Sequence, residues 1–273
     1  VIAGFLGMSS KFAECTLGQK YRVVREDGHV SGGPMHYLQD GLAELGLGKL
    51  GHVLAIIFAI MCVGGSLGGG NMFQANQSYS QLASVVPIFE GRMGATIFGA
   101  LLAFAVGLVI IGGIKSIARV TGKVVHFMAV FYCLFAGIVI LMNYAFIPAA
   151  ILNVFQEAFT GEGVAGGALG AMIIGFQRAV FSNEAGIGSA SIAHSAVRTD
   201  EPITEGMVSL LEPVIDTIGI CTRTALVIGT AAAANPDFAG GGTGIVMTSA
   251  AFEEKISWFP IPLAIAALLF AFS

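Results

Sequence analysis

Between Gly175 and His194 the chain reads G-F-Q-R-A-V-F-S-N-E-A-G-I-G-S-A-S-I-A-H, and the residue types are costly where they fall. The stretch follows the apolar run Gly163 to Ile174 at a spacing that puts it inside a bilayer, yet it carries Arg178, Ser182, Asn183 and Glu184. An ionised group at the centre of a membrane helix costs roughly 2.5 to 3.5 kcal/mol on insertion scales, so such groups face a bundle interior or a wet cavity. Gly186 and Gly188, flanked by Ser189 and Ser191, weaken helical propensity at the same depth, where a broken helix is tolerated only if it lines a cavity. The pattern predicts a discontinuous helix, broken between about Phe181 and Ser189, that forms a binding site. The competing reading is a helix that ends at Phe181 and continues as a loop at the membrane surface.

The elements that position this stretch follow from composition. Of 273 residues, 55% are hydrophobic and only 11% charged, against about 25% charged in a soluble domain. With a mean hydropathy of +0.83, the chain reads as an all-α integral membrane protein. Its 38 glycines fit close helix packing in a membrane bundle. No polybasic tract points to nucleic acid. Cys15, Cys62, Cys133 and Cys221 are scattered singly, without the paired spacing of metal or redox sites, and read as packing residues. The sequence begins and ends within apolar runs, with no initiator Met, so the expectation is an internal fragment.

Val1 to about Cys15 reads as the last turns of a membrane helix, leaving into a basic segment with Lys11, Lys20, Arg22 and Arg25. Met35, Leu38, Leu42 and Leu45 recur at helical spacing beside Gln39, Asp40 and Glu44, as in a helix lying along the membrane surface. Gly51 to about Ser80 fits one span, and its second half places Asn71, Gln74 and Ser78 on one helical face. That polar stripe either bonds neighbouring helices or lines a pathway. Met93 to Ile114 and Val124 to about Ile147 give two more spans, and Ala149 to Gly167 is weakly amphipathic. After the polar turn Arg198 to Pro202, the helix Gly206 to about Ala233 carries Glu212, Asp216 and Arg223 on one face, either paired with one another or turned to the broken helix. A last apolar run extends from Ile256 to Ser273.

Two motif lookalikes fail on context. Gly64 to Gly68 fits G-x-S-x-G without the strand that motif needs, and Asn76 to Ser78 fits a glycosylation sequon inside a span. The five histidines have no paired carboxylate or metal spacing, which gives little support to a membrane-embedded enzyme. With the first basic segment inside, Lys11, Lys20, Arg22, Arg25, Lys49, Lys115, Arg119, Lys123 and Arg198 fall on the cytoplasmic side, and only Arg92 and Lys255 outside.

The segments Ser31 to Leu42 (S-G-G-P-M-H-Y-L-Q-D-G-L), Gly70 to Asn76 (G-N-M-F-Q-A-N) and Phe181 to Ala190 (F-S-N-E-A-G-I-G-S-A) resemble the alanine or glycine:cation symporter family. So do Thr199 to Pro202 (T-D-E-P) and Leu211 to Thr217 (L-E-P-V-I-D-T), in the family's order over essentially the whole chain. The resemblance implies a leucine-transporter-like inverted-repeat helix bundle, with broken first and sixth helices holding substrate and sodium near the midplane. This chain would supply one transporter domain, residues 1–273, of about seven helices from the end of the family's second to the middle of its eighth. The stretch around Asn183 becomes the sixth.

On that basis the expected function is symport of a small neutral amino acid, alanine or glycine, at the cell membrane, with sodium as coupling ion and no other cofactor. A proton-coupled carrier or a channel of the same general bundle is the alternative. Phe181, Ser182, Asn183 and Gly186 would form the sixth-helix side of the substrate site, with Asn71 and Gln74 approaching from the third. Ser273 would ligate sodium. Arg178, Glu184, Glu212 and Asp216 would serve structure or coupling, with Glu184 paired to Arg178 or to a neighbouring helix. Arg223 departs from the uncharged residue expected at its position.

The basic-residue asymmetry generates a topology prediction. In the full-length protein, Gly28→Cys and Arg198→Cys should react with impermeant thiol reagents only from the cytoplasmic side, and Glu162→Cys only from outside. Labelling of positions 28 and 162 from one face would overturn the helix count.

Overall fold

A computed structural model of the chain describes residues 2–159, 167–235, 237–238, 242 and 244–273. The chain opens with helix α1 (Ile2–Lys20) and a two-stranded hairpin, β1 (Val23–Val24) with β2 (Val30–Ser31). Next come α2 (Pro34–His36), a π turn (Tyr37–Gly41), α3 (Leu42–Glu44), α4 (Gly48–Leu67), a second π turn (Gly68–Met72) and α5 (Phe73–Val85). Helices α6 (Gly91–Ile110), α7 (Gly113–Met142), α8 (Ile147–Phe159) and α9 (Gly167–Asn183) follow. After them lie α10 (Ser189–His194), α11 (Pro202–Ser209), α12 (Leu211–Pro213), a third π segment (Val214–Cys221) and α13 (Thr222–Ala234). The last helices are α14 (Ile245–Glu253) and α15 (Pro260–Phe272). Four helical stretches among the described residues are long and apolar enough to cross a membrane: Gly48–Val85, Gly91–Ile110, Lys115–Met142 and Pro202–Ala234. Large apolar side chains such as Phe5, Ile60, Met61, Leu101, Phe104 and Val130 are exposed on these and neighbouring helices, as expected where lipid is the solvent.

Several sequence expectations change. α1 does not end near Cys15 but continues to Lys20, so Lys11 belongs to a helix rather than to a basic loop. α7 starts at Gly113 rather than at Val124, and Lys115, Arg119 and Lys123 ride on its first turns. The basic segment after α1 folds into a hairpin, with Arg25 N donating to His29 O at 2.9 Å around the Asp27–Gly28 turn. α14 (Ile245–Glu253) forms in a stretch for which the sequence reading assigned no element. Glu162 and residues 163–166 of the apolar run lie outside the described residues.

The chain divides into two compact units. The first contains Val1–Leu67 and Gly161–Thr222. In it, α1 lies along α9, α10 and α11, and the approach is close because glycines face the contact. A Cβ at Gly7 would come within 2.9 Å of Ala185 Cβ, and one at Gly18 within 2.8 Å of Ser191 O. The piece from Pro34 to Glu44 packs on α4, where Gly51 meets Leu42.

The second unit contains Gly68–Thr160 and Arg223–Ser273. Its core is aromatic: Phe252 and Phe259 are fully buried and stack at 4.3 Å between ring centroids, with Phe135 at 4.9 Å and Tyr132 at 6.0 Å from one or the other. α15 packs on α5 through buried Leu263, Ala264, Ala266 and Ala267. Gln81, fully buried on α5, donates its amide to Ser249 Oγ at 2.9 Å and to Pro260 O at 3.2 Å. The expected stripe Asn71, Gln74, Ser78 does not form one face. Asn71 sits in the π turn and is exposed, whereas Ser78 and Gln81 are buried and Gln74 half-buried. A π turn holds one residue more than an α turn, so residues on its two sides are offset by about 100°.

Gln81 therefore ties α5 to α14 and to the start of α15 by two interhelical bonds. Gln81→Met keeps the volume and removes the donors. At about 0.6 kcal/mol per interhelical bond, the loss should be about 1 kcal/mol, read as a lowered unfolding midpoint of the full-length protein in detergent. An unchanged midpoint would count against the tie.

Candidate functional site

α9 stops at Asn183, where Glu184 N makes the last helical bond to Val180 O at 2.9 Å. Glu184 then takes a left-handed conformation, φ 54°, the only such non-glycine residue among those described. Gly186 and Gly188 follow with φ of 84° and 90°, and α10 begins at Ser189. The expected break between Phe181 and Ser189 is present, and chain continues as a second helical piece rather than a loop. Side chains take over from the missing ladder: Asn183 Oδ1 accepts from Ala185 N at 3.0 Å, and Ser191 Oγ donates to Gly188 O at 2.7 Å. Gly188 is needed twice over, because a Cβ there would also lie 2.5 Å from Pro34 Cγ and 3.0 Å from Phe58.

The open carbonyls at both helix ends are met by α1 and by Arg22 just beyond it. Lys11, fully buried, donates to Asn183 O at 2.9 Å and pairs with Glu212 at 2.8 Å. One turn on, Glu14 Oε1 accepts from Gly186 N at 3.4 Å. Gln19 Nε2 donates to His194 O and, at 3.1 Å, to Val197 O. Arg22 donates to Ser195 O and Thr199 O, each at 3.2 Å, and to Val197 O. Cationic and amide donors at a helix C-terminus satisfy its last carbonyls and oppose its dipole. Composition reasoning treated Lys11 and Arg22 as cytoplasmic loop charges. With α1 extended to Lys20, Lys11 and Glu14 are charges within a largely apolar helix just as Arg178 is.

The other wall comes from the π segment Val214–Cys221. Pro213 lies just before it, and a proline inside a helix removes a backbone donor and crowds the preceding turn, which is where ladders widen. The segment carries Asp216 and Thr217 to the break. Ser182 Oγ donates to Asp216 Oδ2, Asn183 Nδ2 donates to Thr217 Oγ1 at 3.2 Å, and Thr217 Oγ1 donates to Asp216 Oδ2 at 3.4 Å. Ser182 and Cys221 are 3.2 Å apart. The result is an oxygen-lined group with a carboxylate at its centre, a donor set suited to a hard monovalent ion or a polar solute rather than a transition metal. Among the described residues no trio of His, Cys, Asp and Glu is placed to hold a metal.

The expected site residues thus separate. Ser182, Asn183, Gly186, Glu212 and Asp216 gather at the break, and Phe181 is partly exposed beside them on α9. Glu212, Asp216 and Arg223 do not share a face, since the π segment breaks their spacing. Glu212 pairs with Lys11, Asp216 with Ser182, and Arg223 belongs to the second unit. Glu184 accepts from Ser189 Oγ at 2.5 Å, and among the described residues it makes no salt bridge with the exposed Arg178. Asn71, Gln74 and Ser273 lie in the second unit. There Gln74 Oε1 is buried without a partner among the described residues, and Ser273 caps α15, its Oγ donating to Phe270 O at 3.3 Å.

The family model for the sodium:alanine symporters matches residues 1–273. The sodium/alanine symporter AgcS of Methanococcus maripaludis is 40% identical over 100% of this chain and 58% of its own length. The amino-acid carrier protein AlsT of Bacillus subtilis is 35% identical over 100% of this chain and 55% of its own. The probable sodium/glutamine symporter GlnT of the same species is 34% identical over 99% and 54%. The chain therefore spans a little over half the length of these relatives.

The two glycines of the break carry different loads. Gly186→Ala meets only Ser10 Cβ at 3.8 Å, so it should cost about 1–2 kcal/mol for the left-handed backbone alone. Gly188→Ala adds the clash with Pro34 and Phe58 and should lower the unfolding midpoint of the full-length protein clearly further. Equal losses at both positions would contradict the packing described.

Proposed function

Because the chain belongs to the sodium:alanine symporter family, we propose that the full-length protein couples sodium entry to uptake of a small neutral amino acid, alanine or glycine, across the cell membrane. The family is one of transporters, not enzymes. In this reading residues 1–273 form part of one leucine-transporter-like bundle with its basic loops cytoplasmic, and α9 with α10 is the broken sixth helix.

The observation that supports the reading best is the meeting of Ser182 with Asp216 and of Asn183 with Thr217 at the break. A carboxylate at membrane depth is costly unless a positive charge or strong donors answer it. Asp216 is answered by hydroxyls, which leaves its charge to favour a cation. A sodium ion entering there exchanges part of its water shell for the oxygens of Ser182, Asp216 and Thr217, the same exchange that filters use. The zwitterionic substrate has no net charge, so the two can bind together without adding a second uncompensated charge. Phe181, Ser182, Asn183 and Gly186 line the substrate side, with Asn183 acting chiefly as a brace because its amide is spent on Ala185 and Thr217. Asn71, Gln74 and Ser273, all in the second unit, are separate candidates for contact with substrate or sodium. Gln74 Oε1, buried without a partner among the described residues, is consistent with a polar guest.

The full-length protein in proteoliposomes should take up labelled alanine saturably under an inward sodium gradient, with glycine competing. Uptake driven by a proton gradient without sodium would overturn sodium coupling, and flux without saturation would indicate a channel. Asp216→Asn should raise the sodium half-saturation by about tenfold or more, since about 1.4 kcal/mol of lost ion binding is a factor of ten.

A further inference from the structure

We propose that Lys11 is a positioning residue for transport: its ammonium, shared between the Asn183 carbonyl and Glu212, holds the peptide at the break in the orientation that presents Ser182 to the ion. The inference rests on the sodium-coupled reading of this site.

Lys11 has three donors, and two are fixed by Asn183 O at 2.9 Å and Glu212 at 2.8 Å. The carbonyl it holds belongs to the peptide that joins Asn183 to Glu184, where the backbone turns left-handed. Every hydrogen-bonding group of Asn183 beyond the helix is thereby engaged: the carbonyl by Lys11, Oδ1 by Ala185 and Nδ2 by Thr217. Ser182, one residue earlier, can reach Asp216 only while that peptide keeps its place. Glu212 is fixed in turn. His194 Nε2 lies 3.7 Å from it, and His194 Nδ1 is 2.5 Å from Glu205, which is itself buried. The end of α9 and the end of α10 are therefore joined through one chain of ionisable side chains, Lys11, Glu212, His194 and Glu205, that runs past the break without passing along the backbone. A buried ion pair is weak evidence of stability, since neutral partners of similar volume often serve the fold as well. What a neutral pair cannot do is direct a full positive charge at one carbonyl.

Lys11→Met with Glu212→Gln in the full-length protein removes both charges and leaves neither partner exposed as an unpaired ion. The variant should still fold, with an unfolding midpoint below that of the parent because Asn183 O loses its donor. Its maximal alanine uptake should fall and its sodium half-saturation rise, each by about tenfold or more, because displacements near 1 Å carry penalties of that order. Amide exchange over residues 184–188 should quicken by about tenfold, the sign of a loosened turn. Lys11→Arg, which keeps the charge and alters the reach, should fold and show the same direction of change in sodium half-saturation. It decides the matter if the double variant does not fold. Parental uptake kinetics in either folded variant, or unchanged exchange over 184–188, would overturn the proposal. If the parent protein moves no alanine with sodium, the functional reading fails instead, and exchange over 184–188 still tests what Lys11 holds.

Discussion

A helix that stops inside a bilayer leaves carbonyls with no water to receive them, and each one left unmet costs several kcal/mol. In this chain the answer is an ammonium. Lys11 reaches Asn183 O from a neighbouring helix, and because a lone buried cation would itself be prohibitive, Glu212 must stand beside it. His194 and Glu205 continue the compensation toward the end of α10. The glycines along α1 follow from the same demand, since a lysine can reach the break only if the two backbones lie close together, and Gly4, Gly7 and Gly18 remove the side chains that would hold them apart. Arg22 and Gln19 repeat the solution at the far end of α10 with weaker or more exposed donors.

The second unit meets a different constraint by different means. Its packing rests on aromatic rings from α7, α14 and the start of α15 and on small residues where α15 meets α5. Among the described residues that aromatic core holds no charged side chain, and amides and hydroxyls bond around it, such as Gln81 with Ser249 and Gln77 Oε1 with Ile245 N. A neutral interface of this kind is ordinary for a membrane bundle, where dispersion and a few hydrogen bonds hold helices together. The contrast marks out the charged first unit.

Much of this could be read in the sequence. The break was legible because Gly186, Gly188, Ser182 and Glu184 coincide in helical surroundings, and each departs from what lipid tolerates. Lys11 was not, because the chain before it is apolar from Val1 to Met8 and a lysine soon after such a run reads as the start of a loop. In the fold Lys11 pairs with Glu212, far along the chain, from the middle of a helix that continues to Lys20. The hairpin had a signal in Asp27–Gly28, a favoured turn pair, but its strands are too short for alternation to show. Asp216 and Glu212 were recognised as inward residues and misplaced relative to each other, since helical spacing was counted across Pro213 as though the ladder were regular. The same assumption misjudged Asn71 against Gln74.

Both of those errors come from π turns, and both turns fall where the chain leaves one compact unit for the other, at Gly68 and just before Arg223. A helix that carries such a turn obeys two separate periodic codes, one on each side. In genetic terms, losing one residue at such a point can restore a regular ladder while turning every later side chain by about 100°. A deletion there would leave the helix intact and turn every side chain beyond it away from its present partners.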